Sequence, residues 1–348
     1  MTQEKIESLI SKYGLNISEY SAFDRTTVYL QSKEKDALKN QHIANILHES
    51  GVFEYADPNY LLFVYLSSDP LYPNQWHLKN TGQLVGPTGE DIKAEGAWDI
   101  TTGSSSVRIA ILDSGVDLDH EDLVDNMGSG YDATGGSSGG DDWQYHGTAV
   151  AGIAAAKGNN SKGVRGVAYN STIIPVRVYN TWGSWSTTES GYVQNAIQWI
   201  RTGNKAEIIN MSLVLEQTPT LTNEINLSAS SGRGGKGLIL VASSSNENNN
   251  WVEYPAVLSN VIAVGGSNQY GQRVSPTSSD GLSGGNYLGS NYGSGLDLVA
   301  PSVSIVSTDS SSNYWDVFRG TSFSAPQVAG AAALVLSVNS NLTREEVK

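Results

Sequence analysis

Apolar residues recur along the chain in two different rhythms, and the change falls near residue 66. In the first stretch Ile6, Leu9, Ile10 and Tyr13 recur at helical spacing. Leu38, Ile43, Ile46 and Leu47 repeat that spacing up to about Ser50, where Gly51 supplies a stop. Thr27-Val28-Tyr29-Leu30 and Val52-Phe53-Glu54-Tyr55 read as strands. Helix, strand, helix and strand in that order predict a small α+β module over residues 1–66. It ends in an apolar tail, Tyr60-Leu61-Leu62-Phe63-Val64-Tyr65-Leu66, too apolar to lie free in water.

From about residue 70 onward the rhythm is different. Val107–Leu112, Ile173–Val178, Ile208–Met211, Leu238–Val241 and Val261–Val264 are short, mostly apolar runs. Such runs suit parallel strands covered on both faces. Tyr192, Val193, Ala196, Ile197 and Ile200 form a helical stripe, and the Ala-rich stretches 149–156 and 328–336 predict close-packed helices. The fold class expected is α/β, with a doubly wound, mainly parallel sheet. Functional groups in such folds gather at the carboxyl ends of the strands. Residues 128–140 and 243–250 are predicted loops. Thr343 and Glu346 have the spacing of a capping box. A helix that starts so close to Lys348 sets the expectation of a natural chain running on beyond it, truncated here.

Composition narrows the choices. The chain has 348 residues, enough for one large domain and a small one, and no cysteine. The absence of cysteine removes disulfide scaffolds, thiolate metal sites and cysteine nucleophiles. Lys plus Arg number 21 against 35 Asp plus Glu, a net charge of -14. So acidic a chain repels phosphate backbones, so no nucleic-acid partner is expected. No apolar run approaches the roughly 18 residues that span a bilayer. Met1–Lys5 carries no apolar leader, so either the protein stays in the cell or its leader is absent from this sequence.

Three positions carry candidate chemistry. Asp113 closes the run 107–112 and precedes Ser114-Gly115. His146 precedes the helix 149–156. Ser322 precedes the helix 323–336, where free N–H groups and the helix dipole favour negative charge. A serine hydroxyl is a poor nucleophile until a histidine takes its proton, and a buried carboxylate must hold that histidine in the right tautomer. Taken singly, Asp113 reads as a strand-end cap and Ser322 as a helix cap. Together, in the order Asp, His, Ser, they read as a catalytic triad.

The segments around them resemble a known family. Ile109-Ala110-Ile111-Leu112-Asp113-Ser114-Gly115, His146-Gly147-Thr148-Ala149-Val150-Ala151-Gly152 and Gly320-Thr321-Ser322-Phe323-Ser324-Ala325-Pro326 resemble the signature segments of the subtilisin-like serine proteases. The likeness extends over roughly residues 70–348. It implies the subtilisin-like fold, peptide-bond hydrolysis, and protein or peptide substrates. Leu240–Glu247 resembles the family's oxyanion segment, which gives Asn246 the oxyanion role, with Ser245 where the family usually has Gly. Ile209–Leu213 resembles the strand edge that pairs with substrate, so Ser212, Leu213 and Val214 are implied in substrate binding. Val214 replaces a usual Gly and narrows the first specificity pocket. Glu253 falls where the family lines that pocket's floor, although its bland reading is an exposed loop carboxylate.

The resemblance also covers residues 1–66, which are similar to the family's propeptide, an intramolecular chaperone and inhibitor with a small ferredoxin-like α+β fold. Residues 67–348 are then the catalytic domain, and a single self-cut is expected between about Tyr65 and Ser68. The tail 60–66 is expected in the active-site groove. Calcium is implied as a structural ion held by Asp122, the Asn160 side chain, the carbonyls of Lys162 and Val164, and Gln83. The bland reading there is a solvated turn. His120, among Asp117, Asp119, Glu121 and Asp122, competes with His146 as a base but reads as a solvated, ion-paired residue. The reading is a self-processing serine endopeptidase, monomeric, without a membrane span, and secreted or at the cell surface. The alternative is a catalytically silent binding module of a larger surface protein.

Overall fold

The computed structural model describes residues 3–20, 28–32, 37–50, 53, 56, 69–179, 187–279 and 288–348. The chain divides into two compact units, Met1–Leu66 and Ser67–Lys348. In the first, α1 (Gln3–Lys12) is followed by β1 (Leu15–Tyr20), β2 (Val28–Ser32) and α2 (Ala37–Glu49). β1 and β2 pair antiparallel. Buried Ile10, Leu15 and Leu47 form a small core, with Ile6, Leu9 and Ile43 against it. The stripes that predicted the two helices are thus the faces they bury. The expected strand at 52–55 falls outside the described residues except for Phe53, and so do the tail 60–66 and the expected cut between Tyr65 and Ser68.

The second unit opens with α3 (Ala94–Trp98) and is built on a seven-stranded sheet. Its strands are β3 (Arg108–Asp113), β4 (Tyr131–Asp132), β5 (Thr172–Arg177), β6 (Ile208–Met211), β7 (Ile239–Ser243), β8 (Ile262–Ser267) and β9 (Leu298–Pro301). They run in the order β4-β5-β3-β6-β7-β8-β9, and every neighbouring pair is parallel. Alternate residues of each strand enter different cores, as the two-residue period of a strand requires. Ile109, Ile111, Ile208 and Ile239 face α4 (His146–Ala155) and α7 (Ala325–Val338). Ala110, Leu112, Ile209 and Leu240 face α5 (Thr187–Gly203) and α6 (Pro219–Gly235). Both faces are covered, which is the doubly wound α/β arrangement.

The small residues of α4 permit close packing. A Cβ on Gly152 would lie 2.2 Å from Thr308 Oγ1, on the hairpin of β10 (Ile305–Asp309) and β11 (Asn313–Phe318). A Cβ on Gly330 of α7 would lie 2.6 Å from Val167 Cβ and 3.0 Å from Ala154 O. The chain closes on α8 (Arg344–Val347), with the expected capping box of Thr343 and Glu346.

Several elements differ from expectation. β4 lies inside the predicted loop 128–140, because two residues suffice to pair with β5. α6 was not expected: its apolar positions are sparse, and part of its buried face is Glu224 and Ser228, with Glu224 neutralised by Arg201 at 2.6 Å. Thr321–Val338 is an 18-residue stretch long and apolar enough to cross a membrane, contrary to expectation, but 67% of it is buried inside the unit as α7 and its lead-in turn. A core helix covered on all sides meets the same criterion as a membrane span.

Candidate active site

β3 runs in the interior of the sheet, between β5 and β6, and ends on Asp113, whose side chain is buried. The chain must turn sharply there to leave room for the next loop. Gly115 provides the turn with φ +116°, and a Cβ on it would lie 2.4 Å from Asp141 O. His146 is the first residue of α4, and its Nδ1 lies 2.7 Å from Asp113 Oδ1. A carboxylate only accepts, so Nδ1 carries the proton, and Nε2 of the neutral ring is left with its lone pair. The same Oδ1 accepts the Ser114 N–H at 2.8 Å. Gly147 lets the two elements approach, since a Cβ there would fall 1.9 Å from Gly115 O and 2.9 Å from Asp113 Cβ.

The electrostatics favour a charged imidazole. Burial alone lowers the pKa of His146, but the charge of Asp113, its hydrogen bond and the charge of Asp142 together raise it above the ordinary value of 6.5.

Ser322 lies in the turn Thr321–Phe323, entered through Gly320 at φ +127° and leading directly into α7. Its Oγ donates to Ser212 O at 3.3 Å, while Ser212 Oγ donates to Ser322 O at 2.7 Å. Among the described residues no hydrogen bond joins Ser322 Oγ to His146 Nε2. The turn that carries Ser322 nevertheless lies against His146, for the ring of the next residue, Phe323, is 5.4 Å from the His146 ring, centroid to centroid. A hydroxyl on a single rotatable bond moves between staggered positions at small cost. Catalytic hydrogen bonds commonly tighten only when substrate is bound.

Asn246 follows β7 by three residues. Its Oδ1 accepts from Thr321 N at 2.9 Å and Thr321 Oγ1 at 3.0 Å. Those two donors fix which end of the amide is oxygen, so Nδ2 remains as a donor beside the Ser322 turn. Thr321 was not singled out from the sequence, although its place inside Gly320-Thr321-Ser322 was the available signal. Ser245 adopts φ +90°, a conformation that suits glycine and costs on the order of 1–3 kcal/mol for other residues. It is held by Asn291 N, which donates to Ser245 O at 3.0 Å, and by the Ser245 hydroxyl on the Glu247 carboxylate.

Ser212, Leu213 and Val214 continue from β6; the first two are buried and Val214 is partly exposed. Glu253 is partly exposed and its carboxylate accepts the Trp251 indole N–H at 2.7 Å. His120 is not solvated as expected. It is fully buried, with Nε2 3.0 Å from Asn313 O and Nδ1 accepting Asp122 N–H at 3.1 Å. Those bonds occupy both ring nitrogens.

Asp122 is also fully buried. Its Oδ1 accepts Asn160 Nδ2 at 2.7 Å and its Oδ2 accepts Val164 N at 2.8 Å. Burial raises its carboxyl pKa, and the charge of Asp69 adds to the rise. Asp69 was missed in the sequence. It is buried, accepts the N–H groups of Asn159 and Asn160 at 2.8 and 3.0 Å, and pairs with Arg165 at 2.9 Å. Two carboxylates thus gather around Asn160, in the same loop as Lys162 and Val164. Arg165 offsets the charge of Asp69, and an oxygen-rich set in which Asp122 keeps its charge fits Ca²⁺. Gln83 is not brought to this group: its Oε1 accepts Thr81 N at 2.7 Å, and its Nε2 donates to Pro73 O and Lys79 O, so its own turn uses both ends.

Comparisons with known proteins show what the chain as a whole is similar to. The family model described as the subtilase family, Peptidase_S8, matches residues 104–348. The chain is 36% identical over 300 residues to the thermophilic serine proteinase of Bacillus sp. strain AK1, covering 86% of this chain and 67% of that protein. It is 31% identical to halolysin of Haloferax mediterranei, over 95% of this chain and 59% of that protein. The chain therefore spans about three fifths of halolysin and two thirds of the Bacillus proteinase. Among solved structures, one titled as proteases from Pseudoalteromonas arctica aligns with a TM-score of 0.64 and 29% identity, over 81% of this chain and 90% of that one.

Proposed function

The chain belongs to the subtilase family of serine peptidases, and from that premise we propose that it is a secreted, monomeric endopeptidase made as a self-processing zymogen. The observation that carries the reading is the 2.7 Å bond between His146 and Asp113 at the carboxyl end of β3, beside the turn that holds Ser322 and Asn246. Ser322 Oγ attacks the scissile carbonyl carbon. His146 Nε2 takes the hydroxyl proton and returns it to the departing amine. Asp113 keeps the proton of Nδ1 in place and stabilises the imidazolium. The tetrahedral oxyanion is held by Asn246 Nδ2 and the Ser322 N–H. Water then repeats the sequence on the acyl-enzyme. The presence of all four residues, with His146 bonded to Asp113 and Asn246 bonded to the turn of Ser322, favours this reading over a silent binding module.

Substrate is held along Ser212, Leu213 and Val214 by backbone pairing, which is indifferent to side chains. Glu253, bonded by the Trp251 indole, falls where the family lines the floor of the first pocket. Residues 1–66 act as chaperone and inhibitor until the cut near residues 65–68. Secretion follows the description of the Natrialba magadii relative as extracellular.

Asn246→Ala is expected to lower kcat about 10²–10³-fold with little change in KM, because its donor meets charge that exists only in the transition state. Steady-state kinetics on a peptide anilide checks this. The pH dependence has a definite sign. His146 must be neutral to accept the proton, and its pKa lies above 6.5. Activity is therefore low in acid, and the rising limb of kcat/KM has its midpoint above pH 6.5. A midpoint below that value contradicts the assignment.

Calcium would be held by Asp122, Asn160 and the carbonyls of Lys162 and Val164, with Asp69 supplying the further carboxylate. Bound there, it would neutralise buried negative charge and brace the loop 158–164. Excess chelator is expected to lower the melting temperature, and added Ca²⁺ to restore it. An unchanged melting temperature removes the ion from the account.

A further inference from the structure

We propose that Asp142 is a positioning residue for the catalytic base: it fastens the strand end that carries Asp113 to the helix start that carries His146, and its negative charge acts on the imidazole beside that of Asp113. The proposal rests on His146 being the base.

The geometry comes from both sides of the carboxylate. α4 begins without a side-chain cap from Tyr145. Asp142 does that work from four residues before His146. Its Oδ2 accepts Thr148 N at 3.1 Å and Thr148 Oγ1 at 2.6 Å, and its Oδ1 accepts Gln144 N at 2.9 Å. On the other side Asp142 N donates to Val116 O at 3.2 Å, which ties it to the turn after Asp113. Ser114, the neighbour of Asp113, completes the link. Its Oγ accepts Gly147 N at 3.0 Å, and the hydroxyl acts on the Asp142 carboxyl, favouring its charged form. The two residues after Asp113 and His146 therefore meet on one hydroxyl, and Asp142 links the same two segments through Val116 and Thr148.

Among the described residues the charges facing the imidazole are few. Asp113 comes from the end of β3 and Asp142 from the loop before α4. The turn Thr321–Phe323 contributes only uncharged Ser322 and Phe323, and the first turn of α4 has no acidic residue. Asp141 is turned toward Leu118, whose N–H its Oδ1 accepts at 3.4 Å. Burial and Asp113 hold the Asp142 carboxyl above the usual carboxylate range, against hydrogen bonds led by Thr148. A carboxylate so placed is kept within a low-dielectric site, where its field on a neighbouring ring is strong.

Asp142→Asn removes the charge and, with its amide oxygen toward Thr148, keeps the bond from Thr148 N while giving up the one from Gln144 N. In processed full-length enzyme the midpoint of the acid limb of kcat/KM is expected to move down by roughly half a pH unit or more. The plateau is expected to fall less than about tenfold. The same shift is expected in an NMR titration of the His146 ring in the uncut Ser322→Ala chain, which needs no maturation. Thr148→Val removes the hydroxyl's bonds to Asp142 and Asp117 while keeping the backbone N–H bond and the charge, so it should lower the melting temperature and leave the midpoint in place. An unmoved midpoint in Asp142→Asn, or an equal shift in Thr148→Val, overturns the proposal. Failure of the underlying reading looks different: His146→Ala would then retain activity.

Discussion

Ser322→Ala is expected to leave the chain at its full 37.1 kDa and to lower turnover of added peptide on the order of 10⁶-fold. That is the scale reached when a subtilisin loses its nucleophile. Removal of one oxygen leaves the turn intact, because Thr321 still binds Asn246 and the carbonyl of residue 322 still accepts from Ser212 Oγ. The residual rate, ~10³–10⁴ over water, is that of an oxyanion site and bound substrate without a nucleophile. Two readouts check it: the mass of the purified chain, and hydrolysis of a peptide anilide. A variant that still cuts itself near residues 65–68 would show that the cut is made by another protease or another residue.

Asp113→Asn is the second large effect, about 10⁴ in kcat. The site is nearly isosteric for asparagine, although the one oxygen that serves His146 Nδ1 also accepts the Ser114 N–H, so an NH₂ placed there gives up the Ser114 bond. The amide NH₂, however, can donate to His146 Nδ1. The imidazole proton then moves to Nε2, where the lone pair is needed to receive the Ser322 proton. The imidazolium formed during attack also loses its buried counter-charge. With Asp113 no longer raising the imidazole pKa, the acid limb should move to lower pH while the plateau collapses. A loss of less than tenfold would mean that the 2.7 Å contact is structural only.

The parts legible in the sequence share a physical cause. Strands β3, β5, β6, β7 and β8 are covered on both faces, so their apolar runs stand out without any knowledge of their partners. Asp113, His146 and Ser322 stand where elements begin or end, and each lies within a short segment whose local geometry suffices to place it. The parts that were not legible depend on distant partners. Asp69 acquires its role from N–H groups ninety residues away, at Asn159 and Asn160. His120 is buried because Asn313 and the Tyr314 ring close over it, the ring 5.3 Å away. α6 buries Glu224 with Arg201, a pairing that polar composition disguises as a surface loop. β11 pairs Trp315 with Ser307 while leaving Trp315 half exposed, so no alternation marks it as a strand. Gln83 looked like an oxygen donor because nothing in its sequence context shows that its own turn consumes both ends of the amide.

The central claim is that His146 and Asp113 activate one particular hydroxyl. A fluorophosphonate reacts with an activated serine and leaves ordinary ones untouched. Incubation of the processed protein with such a probe, followed by peptide mass spectrometry, is expected to give one adduct per chain, on Ser322, with labelling lost in His146→Ala. Absence of any adduct, or an adduct on a different serine, would contradict the account.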